Sequence, residues 1–263
     1  MRRRFFVEAF AGGTARLAGD AAHHLGRVLR AEPGQLYELS DGHSVFLARI
    51  ERVSSDHVDF SLLEKVPASG FSMEIVILPA IVKFDRFEWA LEKATELGVS
   101  TIVPLAAERS EKALVSAAAK RATRWRKILL ESAQQARCLR PPRLEDVTRP
   151  AAAFRESAAT VKVLLSERST AVPVRTVFEE AASKMGEGKL PPRIALAIGP
   201  EGGWTDEEFE AASGACFREA SLGQNILRTE TAVIAGLAAV HLYFDAGGLP
   251  ELGGKGGPKR TET

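Results

Sequence analysis

Two glycine-bearing stretches in the last third of the chain hold the residue types that can do chemistry. Ile198-Gly199-Pro200-Glu201-Gly202-Gly203-Trp204 sets a carboxylate inside a glycine-rich loop. Leu222-Gly223-Gln224-Asn225-Ile226-Leu227-Arg228-Thr229-Glu230-Thr231 places a cation two residues from an acid. Glycine lets a backbone come close to a ligand or take a positive φ. The first stretch matches neither the phosphate-cradling G-x-x-x-x-G-K-[ST] loop nor the G-x-G-x-x-G dinucleotide turn. Glu201 would repel an anion at the N-terminus of the helix that follows, whereas a cation or a ribose hydroxyl suits it. The chemistry points to a neutral or cationic small ligand cradled by backbone; a strand-to-helix turn whose glycines only relieve sterics is the other reading.

The elements around these loops must bring them together. Each follows an apolar run that reads as a buried strand, residues 194–198 and 217–222, and each precedes a helical pattern, so both should leave the same edge of a sheet. Ligands of α/β proteins bind at that edge. Thr205-Asp206-Glu207-Glu208 reads as a capping box opening a helix. Upstream, residues 73–82 form an apolar strand, 85–97 an amphipathic helix stopped by Gly98, 101–105 a short strand, 116–136 a basic helix, 161–165 a strand and 174–185 a helix. This is the alternation of an α/β domain. The last helix, 231–244, is apolar around most of its circumference and should be buried against the sheet and a second subunit.

The first third reads differently. Residues 4–9, 36–40, 44–53 and 57–63 are strand-like, broken by Gly12-Gly13, Pro33-Gly34, Asp41-Gly42 and Ser54-Ser55-Asp56, the pattern of a small antiparallel barrel. A short helix spans 20–30, with Asp20 as its cap and Leu25, Val28 and Leu29 on its buried face. His24, Arg27 and Arg30 share one arc of that helix and can reach phosphates, or His23 and His24 are ordinary surface histidines. The composition shifts near residues 66–70, where the domain boundary is expected. The spacing gives domains at 1–69 and 70–248 and a mobile tail at 249–263 rich in Gly, Lys and Pro.

Composition narrows the class. The 263 residues are 45% hydrophobic, enough for a sizeable core. No apolar run reaches the roughly 18 residues of a membrane span, and no apolar region follows Met1-Arg2-Arg3-Arg4, so neither a span nor a secretory leader is expected. Cys138 and Cys216 lie far apart, which argues against a disulfide framework and a cysteine-based metal site. A reducing cytoplasm is the expected compartment. A net charge of +1 is uninformative, but between Arg109 and Arg143 ten cations face only Glu111 and Glu131. That excess suits a polyanion or a solvated helix face.

Taken together, G-P-E-G-G and L-G-x-x-I-L-R-x-E-T-A resemble the SPOUT methyltransferases, and within them the family that methylates N3 of a uridine in small-subunit (16S) ribosomal RNA. Lys83 with Glu92-Lys93-Ala94-Thr95-Glu96-Leu97-Gly98-Val99 is similar to that family. So are Pro104-Leu105 with Glu108-Arg109-Ser110, and Arg4-Phe5-Phe6-Val7 with His24-Leu25 and Val28-Leu29-Arg30. The likeness covers nearly the whole chain before the tail. It implies an N-terminal PUA-like β-barrel that binds RNA, a C-terminal α/β domain with a mostly parallel sheet and a trefoil knot around 221–231, a homodimer, no metal, and S-adenosylmethionine as cofactor.

Carried over residue by residue, the resemblance places the cofactor against Leu165, Ser166, Gly199, Pro200, Glu201, Gly202, Leu222, Gly223, Ile226, Leu227 and Thr231. RNA contacts are implied at Arg4, His24, Arg27, Arg30, Lys83, Arg109, Arg124, Gln135 and Arg137, the last two from a segment that only partly matches. Gln224-Asn225 stands where relatives often carry an arginine. N3 of uracil bears a proton and is a weak nucleophile, so a base must take the proton and a cation must stabilise charge on the flanking oxygens. Arg228 is the first candidate for that cation and Arg109 the second. Glu230 is expected to orient Arg228 or to be the base, and a structural Arg228–Glu230 ion pair is the alternative.

Overall fold

The computed structural model describes residues 3–67, 73–184 and 192–244. The expected boundary at 66–70 runs into residues outside this set, and the 249–263 tail lies wholly outside it. In chain order the first unit comprises β1 (Arg4–Phe6), β2 (Phe10–Ala11), β3 (Thr14–Ala18), α1 (Gly19–His23), a π-helical turn His24–Val28, β4 (Leu36–Ser40), β5 (Val45–Val53) and β6 (His57–Val66). The strands form one six-stranded sheet in the order β1-β4-β5-β6-β3-β2. All pairs are antiparallel except β1 with β4. The β2–β3 hairpin turns through Gly12 and Gly13, both at positive φ, and is an addition to the strands that periodicity reveals.

One expected burial is wrong. Leu25 is fully buried, but Val28 is 62% and Leu29 39% exposed. The helix does not run on in α-helical register, because Leu29 N–H reaches back five residues to the His24 carbonyl. Nor is Asp20 the cap: Ala18 holds that position without a side-chain bond.

The second unit comprises β7 (Glu74–Pro79), α2 (Phe84–Glu96), β8 (Thr101–Ile102), α3 (Lys112–Gln135), β9 (Arg143–Leu144), α4 (Pro150–Glu156), β10 (Val161–Leu165), β11 (Val172–Pro173), α5 (Val174–Ser183), β12 (Arg193–Ile198), α6 (Asp206–Gly214), β13 (Arg218–Ser221) and α7 (Thr229–Phe244). Its seven strands are all parallel, in the order β11-β13-β10-β12-β7-β8-β9. Alternation along the strands feeds two cores. Ile75, Ile77, Val163, Leu165, Ile194, Leu196 and Ile198 face α2, α3, α5 and α7, while Leu78, Leu164, Ala195 and Ala197 face α4 and α6. The small Ala195 and Ala197 leave room for the aromatic cluster of Phe154, Trp204 and Phe217 on that side. On the other side Gly236 lets α7 lie close to the sheet, since a Cβ there would sit 3.2 Å from Leu165 and 3.3 Å from Leu196. A mid-helix glycine costs about 1 kcal/mol, and close packing over the sheet offsets it.

Arg4 and Arg137, read from the sequence as RNA contacts, instead build the junction of the two units. Arg4 is 5% exposed; its guanidinium bonds Glu38 at 2.9 and 3.1 Å and donates to the Arg137 and Cys138 carbonyls. Arg137, at φ 57°, closes α3 in a Schellman turn in which Cys138 N–H reaches the Ala133 carbonyl, and its own guanidinium is 3.5 Å from Glu38. Ser40 donates to the Leu139 carbonyl at 2.6 Å. Arg4→Ala is expected to cost about 2 kcal/mol, because it leaves Glu38 with only the more distant Arg137 and deprives two carbonyls of their donor; thermal denaturation checks the value.

Cys138 reports on the same seam. Burial pushes its thiol pKa up, and its Sγ faces the Thr95 carbonyl at 3.5 Å. Exposed Cys216 is expected to react with a disulfide reagent at least tenfold faster than Cys138. Arg4→Ala should shrink that gap, measured by mass spectrometry of the labelled peptides.

Candidate active site

β13, β10 and β12 are neighbours and parallel, so the loops after Ser221, Leu165 and Ile198 emerge side by side. They line one open cleft. Of the residues carried over as cofactor contacts, Leu165, Ser166, Gly199, Pro200, Leu222, Gly223, Ile226 and Leu227 line it. Glu201, Gly202 and Thr231 do not: the first two lie beside the cleft on the same loop, and Thr231 is exposed on α7. Thr229 takes part instead, together with Glu167, Gly203, Trp204 and Asn225.

Side chains separated by long stretches of sequence fix the cleft. The Trp204 indole N–H donates to the Leu165 carbonyl at 3.0 Å, which pins the β12 loop to the end of β10. The Thr229 hydroxyl donates to the Gly199 carbonyl at 2.8 Å, which ties the start of α7 to the same loop. Arg109 donates to the Gly202 carbonyl at 2.8 Å. The capping box is present, with Glu208 bonding the Thr205 N–H, and the same carboxylate also accepts from the Glu108 N–H at 2.9 Å. One acid thus caps α6 and holds the loop that carries Arg109.

Two glycines sit where a side chain would be crowded. A Cβ at Gly199 would sit 3.1 Å from the Trp204 indole, and one at Gly203, where φ is +70°, would sit 2.6 Å from Glu167. Gly203→Ala is expected to lose most ligand affinity at the cleft, from strain and from displacing Glu167, as titration calorimetry would show.

Ion pairing departs from the expectation. Glu230 does not face Arg228. It lies 4.0 Å from Arg86, whose guanidinium bonds Glu201 at 2.6 Å. Glu230 is 8% exposed and its Oε2 has no hydrogen-bond partner among the described residues. The guanidinium of Arg228 is exposed and makes no ion pair among the described residues. Arg86 was missed because nothing at the start of α2 marks it out; only Glu201, 115 positions away, gives it a role.

The other basic candidates divide. Lys83, Arg27, Arg30 and Gln135 are exposed, and His24 is half-buried with Nε2 3.3 Å from Arg3. Arg124 is not free: it bonds Glu88 of α2 at 2.8 Å, and Arg121 shares that acid at 3.4 Å. No group of three or more His, Cys, Asp or Glu that could hold a metal occurs among the described residues, and no described helix is long and apolar enough to cross a membrane.

Known proteins converge on the same picture. Residues 70–241 match the family described as an RNA methyltransferase domain, and residues 17–63 an RNA methyltransferase PUA domain. A protein named ribosomal RNA small subunit methyltransferase E from Synechocystis sp. is 30% identical, covering 89% of this chain and 74% of its own length. Its namesake in Bacillus subtilis is 28% identical over 90% and 95%. A Legionella pneumophila structure with bound SAM superposes with a TM-score of 0.78 at 31% identity, covering 92% of this chain and 98% of that one. The ribosomal RNA small subunit methyltransferase E of Neisseria gonorrhoeae, bound to S-adenosyl methionine, gives 0.78 at 27% over the same shares. With one profile spanning the α/β unit and the other most of the β unit, the chain belongs to the RNA methyltransferase family of the ribosomal RNA small subunit methyltransferases E.

Proposed function

We propose that this protein transfers a methyl group from S-adenosylmethionine to N3 of a uridine in 16S ribosomal RNA. The observation that carries the reading is one cleft built by three adjacent parallel-strand ends, with Arg228, whose guanidinium makes no ion pair among the described residues, on the segment beside it. The residues fit the cofactor. Leu165, Pro200, Ile226 and Leu227 offer apolar cover for an adenine, and Ile226, at 79% exposed, has an open face to give. Backbone groups of 222–227 can read the adenine edge, and Glu167 supplies a carboxylate for hydroxyls or positive charge. When bound, the cofactor supplies an electrophilic methyl on a sulfonium.

The chain's own groups prepare the acceptor. Arg228, exposed beside the cleft and not part of its lining, is the proposed holder of the negative charge that develops on the uracil oxygens as N3 loses its proton, because a positioned cation meets that charge with less reorganisation than water. Glu230 is the proposed proton acceptor or the group that sets the start of α7. Arg109, bonded to Gly202, shapes the β12 loop. Because N3 lies on the Watson–Crick edge, the target uridine must be unpaired or flipped out. Lys83, Arg27, Arg30, His24 and Gln135 are the proposed RNA contacts, in a division of residues 1–69 for RNA and 70–248 for chemistry.

Two further features belong to this reading. The trefoil knot expected around 221–231 is part of the proposal, supported by the Thr229 bond to the Gly199 carbonyl, which brings the segment after β13 to the loop after β12, and by the packing of α7 on α2. Leu242 on α7, 80% exposed, and Trp89 on α2, 44% exposed, suit a homodimer through these helices, to be checked by sedimentation. The function is tested by incubating the protein and S-adenosylmethionine with small subunits from a strain lacking the homologous enzyme. Nucleoside mass spectrometry should show new N3-methyluridine; methylation of another position would reassign the target.

A further inference from the structure

The π-helical turn His24–Val28 puts on the surface two apolar side chains that an α-helix would bury. In α-helical register Leu25, Val28 and Leu29 share a face. One extra residue in the turn rotates those that follow by roughly 100°, the advance of a single residue in a 3.6-residue helix. Leu25 stays in the core at 0% exposure, and Gly26 takes the next inward position, where a Cβ would lie 3.1 Å from Val53. Val28 and Leu29 are turned out, the chain ends the turn at Arg30 with φ 51°, and Ala31 N–H closes it on the Leu25 carbonyl. Turns of this kind recur at functional sites.

The surroundings specify the partner. From His23 to Ala31 the sequence holds two histidines and two arginines, with Asp20 and Glu32, both exposed, as the flanking acids in the chain. Arg27 and Arg30 are exposed on either side of the apolar pair, and Arg3 lies 3.3 Å from His24 with no acid between them. An apolar pair flanked by Arg27 and Arg30 complements an unstacked nucleotide, because a base that has left its stack can bury its face against aliphatic surface while arginines hold the flanking phosphates.

We propose that residues 24–30 seat one unstacked nucleotide, with Val28 and Leu29 against the base face and Arg27 and Arg30 on the adjacent phosphates. This rests on the reading of the protein as an RNA-modifying enzyme and deepens it. The contact is with a π-face that every base has, so it selects single-stranded structure over sequence.

Fluorescence anisotropy of the full chain with a labelled single-stranded RNA, and with the same strand in a duplex, tests the proposal at two salt concentrations. Val28→Ser/Leu29→Ser is expected to weaken single-strand binding about tenfold, with the salt slope and duplex affinity unchanged. Arg27→Ala/Arg30→Ala should instead lower the slope by about 1 to 2. Leu29→Phe, which enlarges the wedge without a polar change, should tighten single-strand binding about threefold and decides the matter if the serine variant melts early. A serine variant that binds single strands within twofold of the parent overturns the proposal, as does an equal loss on duplex. Loss of self-association with RNA affinity intact would assign the surface to a second copy and overturn it too. A parent chain that binds no RNA would overturn both this proposal and the reading beneath it.

Discussion

Arg228→Ala is expected to lower turnover by about 10² to 10³-fold while S-adenosylmethionine affinity stays within about threefold of the parent. The expectation follows from what Arg228 does not do. Its neighbour Glu230 is committed to the Arg86 side, so the Arg228 guanidinium holds no acid and carries no weight in the fold among the described contacts. Yet it is fixed at its root: its carbonyl accepts from Ala232 N–H at 2.8 Å, and the next residue, Thr229, is bonded to Gly199. Such a cation serves whatever charge appears in front of it during reaction. Single-turnover methylation beside cofactor calorimetry separates the two effects. Equal loss of both would move Arg228 from chemistry to cofactor binding, and Arg228→Lys should recover part of the rate, because a point charge replaces a planar fork.

Arg86→Ala should have the second-largest effect, about 10²-fold in turnover together with about tenfold in cofactor affinity. Arg86 lies between Glu201 on the β12 loop and Glu230 on the first turn of α7, so its loss leaves two acids facing each other without a cation. The loop and the helix start would then move apart, widening the cleft that they border. Stability should fall by only about 1 to 2 kcal/mol, since the Arg86 side chain is 30% exposed and solvent screens it. Steady-state kinetics of Arg86→Ala, Arg86→Lys and Glu230→Gln distinguishes the roles. Recovery in the lysine variant supports positioning by charge. A Glu230→Gln variant with undiminished turnover would remove Glu230 as the proton acceptor while leaving Arg86 in place.

Much of the fold was legible because its signals are local. A buried parallel strand is a short apolar run, and β10 and β12 lie where those runs lie. The capping box at Thr205 and Glu208 and the stop at Gly98, where φ is +74°, depend on groups within a few residues of each other. Short elements escaped: β9, β11 and α4 have too few residues to show a period, and β8 covers only the start of its expected strand.

The sequence by itself determined the two-unit architecture, the α/β alternation and the loops that would carry chemistry, because hydrophobic period, turn residues and caps act between neighbours in the chain. Only the tertiary structure decided which charges meet. It buried Arg4 in the seam between the units and set the half-exposed Arg137 against the same Glu38, gave Glu230 to Arg86, and turned Val28 and Leu29 outward. The reason is physical: an ion pair depends on separation in space, and no spacing along the chain specifies that Arg86 and Glu201, 115 positions apart, will lie 2.6 Å from each other.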